Sequence, residues 1–89
     1  MRYTIELSNR FKKRYKKLNP QQKQIFQVIV NRLANDEDLE IKYRDHALKG
    51  NYIGFRECHL MPDLLLIYKK QGDKLILYCL DIGTHSDLF

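Results

Sequence analysis

Residues 53–83, IGFRECHLMPDLLLIYKKQGDKLILYCLDIG, decide the fold of this chain. They contain three apolar segments with strand composition, at residues 53–60, 64–70 and 74–80. The triplets MPD (61–63) and QGD (71–73) separate these segments, and both are typical of tight turns. Because consecutive strands joined by short turns pair with each other, the stretch predicts an antiparallel three-stranded meander.

One strand and two helices are predicted before the meander. RYTIEL, at residues 2–7, alternates apolar and polar side chains as a strand does. Ser8 is a typical helix N-cap, and an apolar stripe at helical spacing follows it, formed by Phe11, Tyr15 and Leu18. Asn19-Pro20 with Gln22 then gives the start signal of a second helix, which we expect to end near Ala34.

Residues 39–54 show no clear periodicity and are predicted to form a loop. The expected architecture is therefore α+β, with the element order β-α-α-β-β-β in a single domain of residues 1–89. Two N-terminal helices pack on one face of a small, mostly antiparallel four-stranded sheet. The other face of the sheet is expected to stay partly open.

Composition and charge restrict the function classes. The chain has 89 residues and a net charge of +5. Residues 1–34 carry nine Lys and Arg against one acid, and this basic half favours a polyanionic partner, either nucleic acid or an acidic protein. The start of the sequence has no signal-peptide pattern, and no apolar run reaches membrane-spanning length. We therefore expect a cytoplasmic protein that does not bind a membrane. Cys58 and Cys79 have no metal-site spacing and are expected to be buried free thiols.

Three histidines and one carboxylate are the candidates for chemistry. His46 lies in the loop before the meander, His59 at the end of its first strand and His85 after its last strand, while Asp63 lies in the turn after His59. Since neighbouring strands bring distant positions together, these residues could form an acid–base site. Two other interpretations stay open, namely structural histidines, and a metal site with the same four ligands.

Three ordered blocks make the sequence resemble a known family. They are Asp-His-x-Leu-x-Gly at 45–50, Arg-x-x-His-x-x-Pro-Asp at 56–63 and Gly-Thr-His-x-x-Leu-Phe at 83–89. In this order and spacing they resemble the YafQ branch of the RelE-type bacterial toxins, which belong to type II toxin–antitoxin modules. The basic helical pair before the blocks also suits this family.

The resemblance implies a metal-independent endoribonuclease without cofactors, which cuts mRNA on the translating ribosome. The implied catalytic residues are His46, His59, Asp63 and His85. His85 is expected to act as general acid, His46 or Asp63 as the base or its orienting group, and His59 to position the phosphate or another side chain. Lys49 and Arg56 are the expected substrate-binding cations, and Phe89 shapes the site.

The resemblance also implies partners, and alternatives remain. The expected partners are a cognate antitoxin, similar to DinJ or RelB, mRNA on the ribosome, and ribosomal RNA. One alternative is a non-enzymatic basic module that binds nucleic acid or protein, in which the histidines are structural. The other is a gyrase-targeting toxin of related fold.

Two positions depart from the family pattern. Asp81 stands where an Arg is common in the family, and Leu64 stands where a Trp is common. A carboxylate repels phosphate, so three outcomes are open: Arg56 or Lys49 replaces the missing cation, Asp81 orients His85, or the nuclease is weaker. Base stacking at position 64 is likewise in question.

Overall fold

The computed structural model describes residues 2–89 and has the predicted α+β class. Its elements, in chain order, are β1 (Thr4–Leu7), α1 (Asn9–Tyr15), α2 (Pro20–Ala34), β2 (His46–Ala47), β3 (Arg56–Met61), β4 (Leu64–Gln71), β5 (Ile76–Gly83) and α3 (His85–Leu88). Single 3₁₀ turns at Ile41–Tyr43 and Gly50–Tyr52 flank β2.

The strands form one sheet in the order β1-β5-β4-β3-β2. β1 pairs with β5 in parallel, with Thr4 opposite Ile76, and the remaining pairs are antiparallel, as the meander predicts. The sheet has five strands, so the predicted number of four was wrong. β2 is the additional strand. It is only two residues long and lies at the edge of the sheet. A strand this short shows no alternation of polar and apolar residues, so the sequence pattern cannot predict it.

The predicted helix starts are confirmed. The Ser8 side chain accepts a hydrogen bond from the Phe11 amide, and Asn19 and Gln22 form a reciprocal capping box in front of α2. α1 ends at Tyr15, before the last residue of its predicted stripe. Leu18 follows a further turn and still packs against the core.

Both helices cover the same face of the sheet and enclose the main core there. Its centre is an aromatic pair, Phe11 from α1 and Phe26 from α2, with ring centroids 5.0 Å apart. The expected free cysteines, Cys58 and Cys79, are buried in this core. Burial raises the pKa of the Cys79 thiol to about 12, so it stays protonated at neutral pH.

The opposite face carries a smaller apolar cluster, in which Leu65 and Ile67 are covered by Leu88 of α3. α3 was not predicted, because a single helical turn leaves no periodic signal. The Thr84 side chain accepts a hydrogen bond from the Asp87 amide, and the Asp87 carboxylate accepts one from the Thr84 amide. This capping box turns the chain from β5 into α3 and directs Leu88 back onto the sheet.

The described part of the chain, residues 2–89, contains no helix with both the length and the apolarity that a bilayer span requires.

Candidate active site

The structure brings the three histidines together in a row. His46 lies on β2, His59 on the neighbouring β3, and His85 at the start of α3. The ring centroids of His46 and His59 are 6.4 Å apart, and those of His59 and His85 are 5.8 Å apart. β2 produces the first of these contacts, because it pairs His46 with Glu57, two residues before His59.

Glu57 lies behind this row and was missed by the sequence reasoning. The residue is only 4% exposed, and its Oε1 atom lies 3.3 Å from His59 Nε2 and 3.7 Å from His46 Nε2. A buried carboxylate requires a partner, and these two imidazoles lie within reach. The sequence did hold a signal: alternate strand residues share a face, so Glu57 in Glu-Cys-His had to point the same way as His59.

Asp63 contacts the opposite end of the row. Its Oδ1 atom accepts a hydrogen bond from the His85 backbone amide at 3.5 Å and lies 3.8 Å from His85 Nδ1. Both side chains are more than half exposed. This end of the row is therefore open to a substrate, whereas the His59–Glu57 pair is largely enclosed.

The orientation of His46 is set by the backbone. Its Nδ1 atom lies 2.6 Å from the carbonyl oxygen of Arg44. Because a carbonyl oxygen only accepts, Nδ1 carries the proton of this hydrogen bond, and Nε2 is left facing Glu57. His46 thus presents one defined nitrogen to the row.

A cleft of about 600 Å³ opens beside the row. His59 and His85 line it together with Lys42, Tyr43 and Arg44. These three residues were not assigned roles from the sequence, although they directly precede the Asp-His block. They add two positive charges and an aromatic ring to the wall of the cleft, and such groups suit phosphate and nucleotide bases.

The other sequence-predicted site residues lie apart from the histidines or at the margin. Arg56 points to the face of β3 opposite His59, where its Nε atom lies 3.2 Å from Asp45 Oδ1. The Tyr68 hydroxyl donates to the same oxygen, so Arg56 belongs to a small polar network. Lys49 is exposed in the loop after β2 and has no ion pair among residues 2–89.

Phe89, which was expected to shape the site, is 60% exposed. Its ring lies 5.6 Å from that of Tyr52 and 6.4 Å from that of His85, measured between centroids. Phe89 therefore borders the site on the His85 side.

The two departures from the family pattern point away from the site. Asp81 is fully buried and its carboxylate faces α1, where Arg10 and Arg14 contact it. Leu64 is buried in the main core. Neither side chain is placed to touch an RNA phosphate or to stack on a base.

Three groups of the site could also hold a cation. Ligand atoms of Glu57, His59 and His85 lie within 4.8 Å of one another. Two imidazoles and a carboxylate suit borderline metals such as zinc and copper. This set shares His59 and His85 with the metal alternative raised from the sequence, but has Glu57 in place of Asp63 and His46.

Comparison with known proteins gives the family. The family model described as the bacterial toxin of type II toxin–antitoxin system, YafQ, matches residues 3–89. The mRNA interferase toxin YafQ of Escherichia coli K12 is 39% identical over 77 residues, which cover 86% of this chain and 77% of that protein.

Solved structures of similar proteins show the same fold. A metal-bound toxin from Helicobacter pylori superposes with a TM-score of 0.87 at 39% identity, over 98% of this chain and 99% of that one. The toxin in the E. coli DinJ–YafQ complex superposes with a TM-score of 0.84 at 30% identity, over 100% of this chain and 99% of that one.

Proposed function

The chain belongs to the YafQ family of bacterial type II toxins, and we propose from this that it is an endoribonuclease that cuts mRNA on the translating ribosome. One observation carries the proposal beyond the family name. Three imidazoles stand in a row beside an open cleft, with a carboxylate at each end of the His59–His85 pair. Such a row can take a proton at one end and give one at the other.

RNA supplies its own nucleophile, the 2′-hydroxyl next to the scissile phosphate. We propose that His46 takes the 2′-hydroxyl proton while the 2′-oxygen forms a bond to phosphorus. The bond from phosphorus to the 5′-oxygen breaks, and His85 gives this oxygen its proton. The products are a 2′,3′-cyclic phosphate and a free 5′-hydroxyl, and atoms and charges balance without any cofactor.

The placement of the carboxylates supports this division of roles. Asp63 contacts both the backbone and the ring side of His85, so we assign it to orienting the acid. Base and acid then lie on opposite sides of His59, as displacement with the entering and leaving oxygens in line requires. His59, paired with Glu57, is assigned to stabilise the charge on the phosphorane.

Cations that line the cleft can replace the Arg that is common in the family at the position of Asp81. Lys42 and Arg44 line the wall next to His59 and His85. Lys49 is exposed and lies five residues after Arg44 in the sequence. We propose that Lys42 and Arg44 contact phosphates and that Tyr43 stacks on a base. Phe89 borders the same position from the other side.

The basic half of the chain supports two partners. The lysines of α1 and the following turn are exposed: Lys12, Lys13, Lys16 and Lys17. We propose that this surface contacts ribosomal RNA during cleavage, in the cytoplasm where ribosomes translate. We further propose that a cognate antitoxin inhibits the chain, since a similar toxin is found in a complex with DinJ.

The test is cleavage of a translated message by purified toxin and ribosomes. We expect cuts ending in a 2′,3′-cyclic phosphate and growth arrest on expression. In His85→Ala we expect no growth arrest and a residual cleavage rate lower by about 100- to 10,000-fold. Ser86→Ala is the matched control, since Ser86 is the exposed neighbour of His85 and its side chain makes no hydrogen bond with any of residues 2–89. Full toxicity of His85→Ala, or DNA damage without mRNA cuts, contradicts the proposal.

Metal independence is tested separately. The toxin is treated with EDTA, freed of the chelator and assayed with ribosomes in magnesium buffer. We expect unchanged cleavage, because the acid and base are side chains and the nucleophile is the RNA itself. Activity that returns only on adding back zinc or copper would instead support catalysis by a metal at Glu57, His59 and His85.

A further inference from the structure

We propose that Asp81 and Arg14 are positioning residues, which hold α3 and therefore His85 in place for proton transfer. The inference rests on the role proposed above for His85. It concerns two residues outside the row of histidines. Neither of them contacts His85 directly.

Asp81 is a fully buried charge at a β-bulge. The register of β4 and β5 shifts between Ile67 and Tyr68, where Ile67 pairs with Asp81 and Tyr68 with Cys79. The carboxylate of Asp81 contacts α1, where its Oδ1 atom lies 3.0 Å from Arg14 Nε. The same oxygen accepts a hydrogen bond from the Ile82 amide at 2.8 Å.

Arg10 provides a second contact. Its Nε atom lies 2.7 Å from Asp81 Oδ2. A buried carboxylate is costly unless it is paired and hydrogen-bonded. Arg14 is the one of these two partners that also contacts Asp87 in α3.

Arg14 also contacts α3. Its guanidinium donates to the Asp87 backbone carbonyl at 2.9 Å and lies 3.4 Å from Asp87 Oδ1. Asp87 is the residue whose carboxylate caps Thr84 at the start of α3. One planar guanidinium thus joins the buried bulge of β5 to the turn that carries His85.

α3 needs such external contacts because it is a single turn. Four residues cannot form a stable helix by themselves, because the conformational entropy lost in forming the first turn exceeds the free energy gained from its hydrogen bonds. Leu88 anchors its end in the apolar cluster, and Arg14 anchors its polar side. His85 is the first residue of this turn, so any shift of α3 moves its ring relative to His59.

The test is a double-mutant cycle on cleavage rate. Arg14→Gln removes the bridge, and we expect kcat to fall about 10-fold with little change in KM, since a misplaced acid slows the chemical step. In a His85→Ala background the same change should cost almost nothing, because the residue being positioned is gone. Equal losses in both backgrounds, or none in either, overturn the proposal.

Two further variants separate positioning from folding and from charge. Arg14→Lys keeps a positive charge beside Asp81 but cannot reach Asp81 and Asp87 together, so we expect a folded protein with a smaller kcat loss. Lys13→Gln removes one exposed charge from α1 and has no part in the bridge. Any effect it has should be the same in both backgrounds.

Hydrogen exchange measures the position of α3 without using activity. The amides of Leu88 and Phe89 donate to Thr84 and His85 within this turn. We expect them to exchange faster in Arg14→Gln but not in Lys13→Gln, with core amides unchanged. Unchanged exchange overturns the inference and leaves the proposed function intact, whereas an active His85→Ala removes the proposed function and leaves the exchange result standing.

Discussion

Glu57 is the residue on which the geometry of the histidine row depends. It is an almost fully buried carboxylate, and the groups that face it are the Nε2 atoms of His46 and His59. A charge in this position faces two imidazoles at once, and moving either ring removes one of its two partners. The residue therefore links the edge strand β2 to the centre of the site.

We expect Glu57→Gln to lower kcat by about 100-fold, the low end of what a positioned acid–base group contributes. The amide keeps the size of the side chain but removes the charge that faces both imidazoles. The rate of mRNA cleavage under saturating conditions is the measurement.

Glu6→Gln is the matched control, because Glu6 is an exposed acid on β1, away from the histidines. Wild-type cleavage by Glu57→Gln would show that the carboxylate only fills space. If Glu57→Gln lowers the melting temperature together with the activity, Glu57 stabilises the fold and has no separate role in the site.

Sequence reasoning reached the histidines and Asp63 through their motifs, but not the residues that orient them. Glu57 occupies a variable position of the second block and was read as part of a strand. Arg56 was expected near phosphate from its place in the same block. Alternation along β3 sends it to the other face, where it contacts Asp45. The motif identifies reactive groups, and the strand register decides which neighbours they meet.

Short elements are where sequence-based prediction of this fold failed. β1, α1, α2 and the meander each carry an apolar pattern over several residues, and all were predicted. β2 and α3 have two and four residues, so neither repeats a pattern. Both are held by tertiary contacts, and both carry a histidine of the row.

The start of α3 allows a test at Gly83. A Cβ atom added there would lie 2.9 Å from Asp87 Oδ2 and 3.0 Å from Asp87 Cβ. We expect Gly83→Ala to displace the Asp87 cap, speed amide exchange in α3 and reduce cleavage several-fold. Hydrogen exchange and cleavage rate are measured on the same sample.

Gly72→Ala is the control, because nothing lies within 4 Å of a Cβ added at Gly72 in the β4–β5 turn. If both variants behave like the wild type, the cap does not limit the position of His85. If both variants are equally impaired, the cause is the loss of backbone flexibility at a glycine and not a clash with Asp87.

Across the whole molecule, acidic side chains at the surface accept hydrogen bonds that lower their pKa values. Lys70 on β4 donates to Asp36 at the end of α2 at 2.8 Å, and this hydrogen bond lowers the pKa of Asp36. The Arg32 hydrogen bond likewise lowers the pKa of Glu40, and the Thr84 backbone amide lowers that of Asp87. Groups with depressed pKa values stabilise the fold only while they are ionised.

We therefore expect the melting temperature to fall as the pH drops below about 4, where these carboxylates take up protons that they bind more readily in the unfolded chain. Lys70→Met should reduce this pH dependence by removing the Asp36 pair. Thermal unfolding from about pH 7 to about pH 3 measures it.

Lys69→Met is the control, since Lys69 has a similar contact with an aromatic ring and no ion pair among residues 2–89. The same pH dependence in Lys70→Met and the wild type would show that this surface pair contributes nothing measurable.

The pairing of β1 with β5 has a consequence for the order of events during synthesis. Thr4 is synthesised 72 residues before its partner Ile76, so β1 and β5 can pair only late in synthesis. His85 follows still later, beyond the strand that completes the sheet. A growing chain thus carries the proposed base long before it carries the proposed acid, and the row of histidines is completed only after the last strand of the sheet has been made.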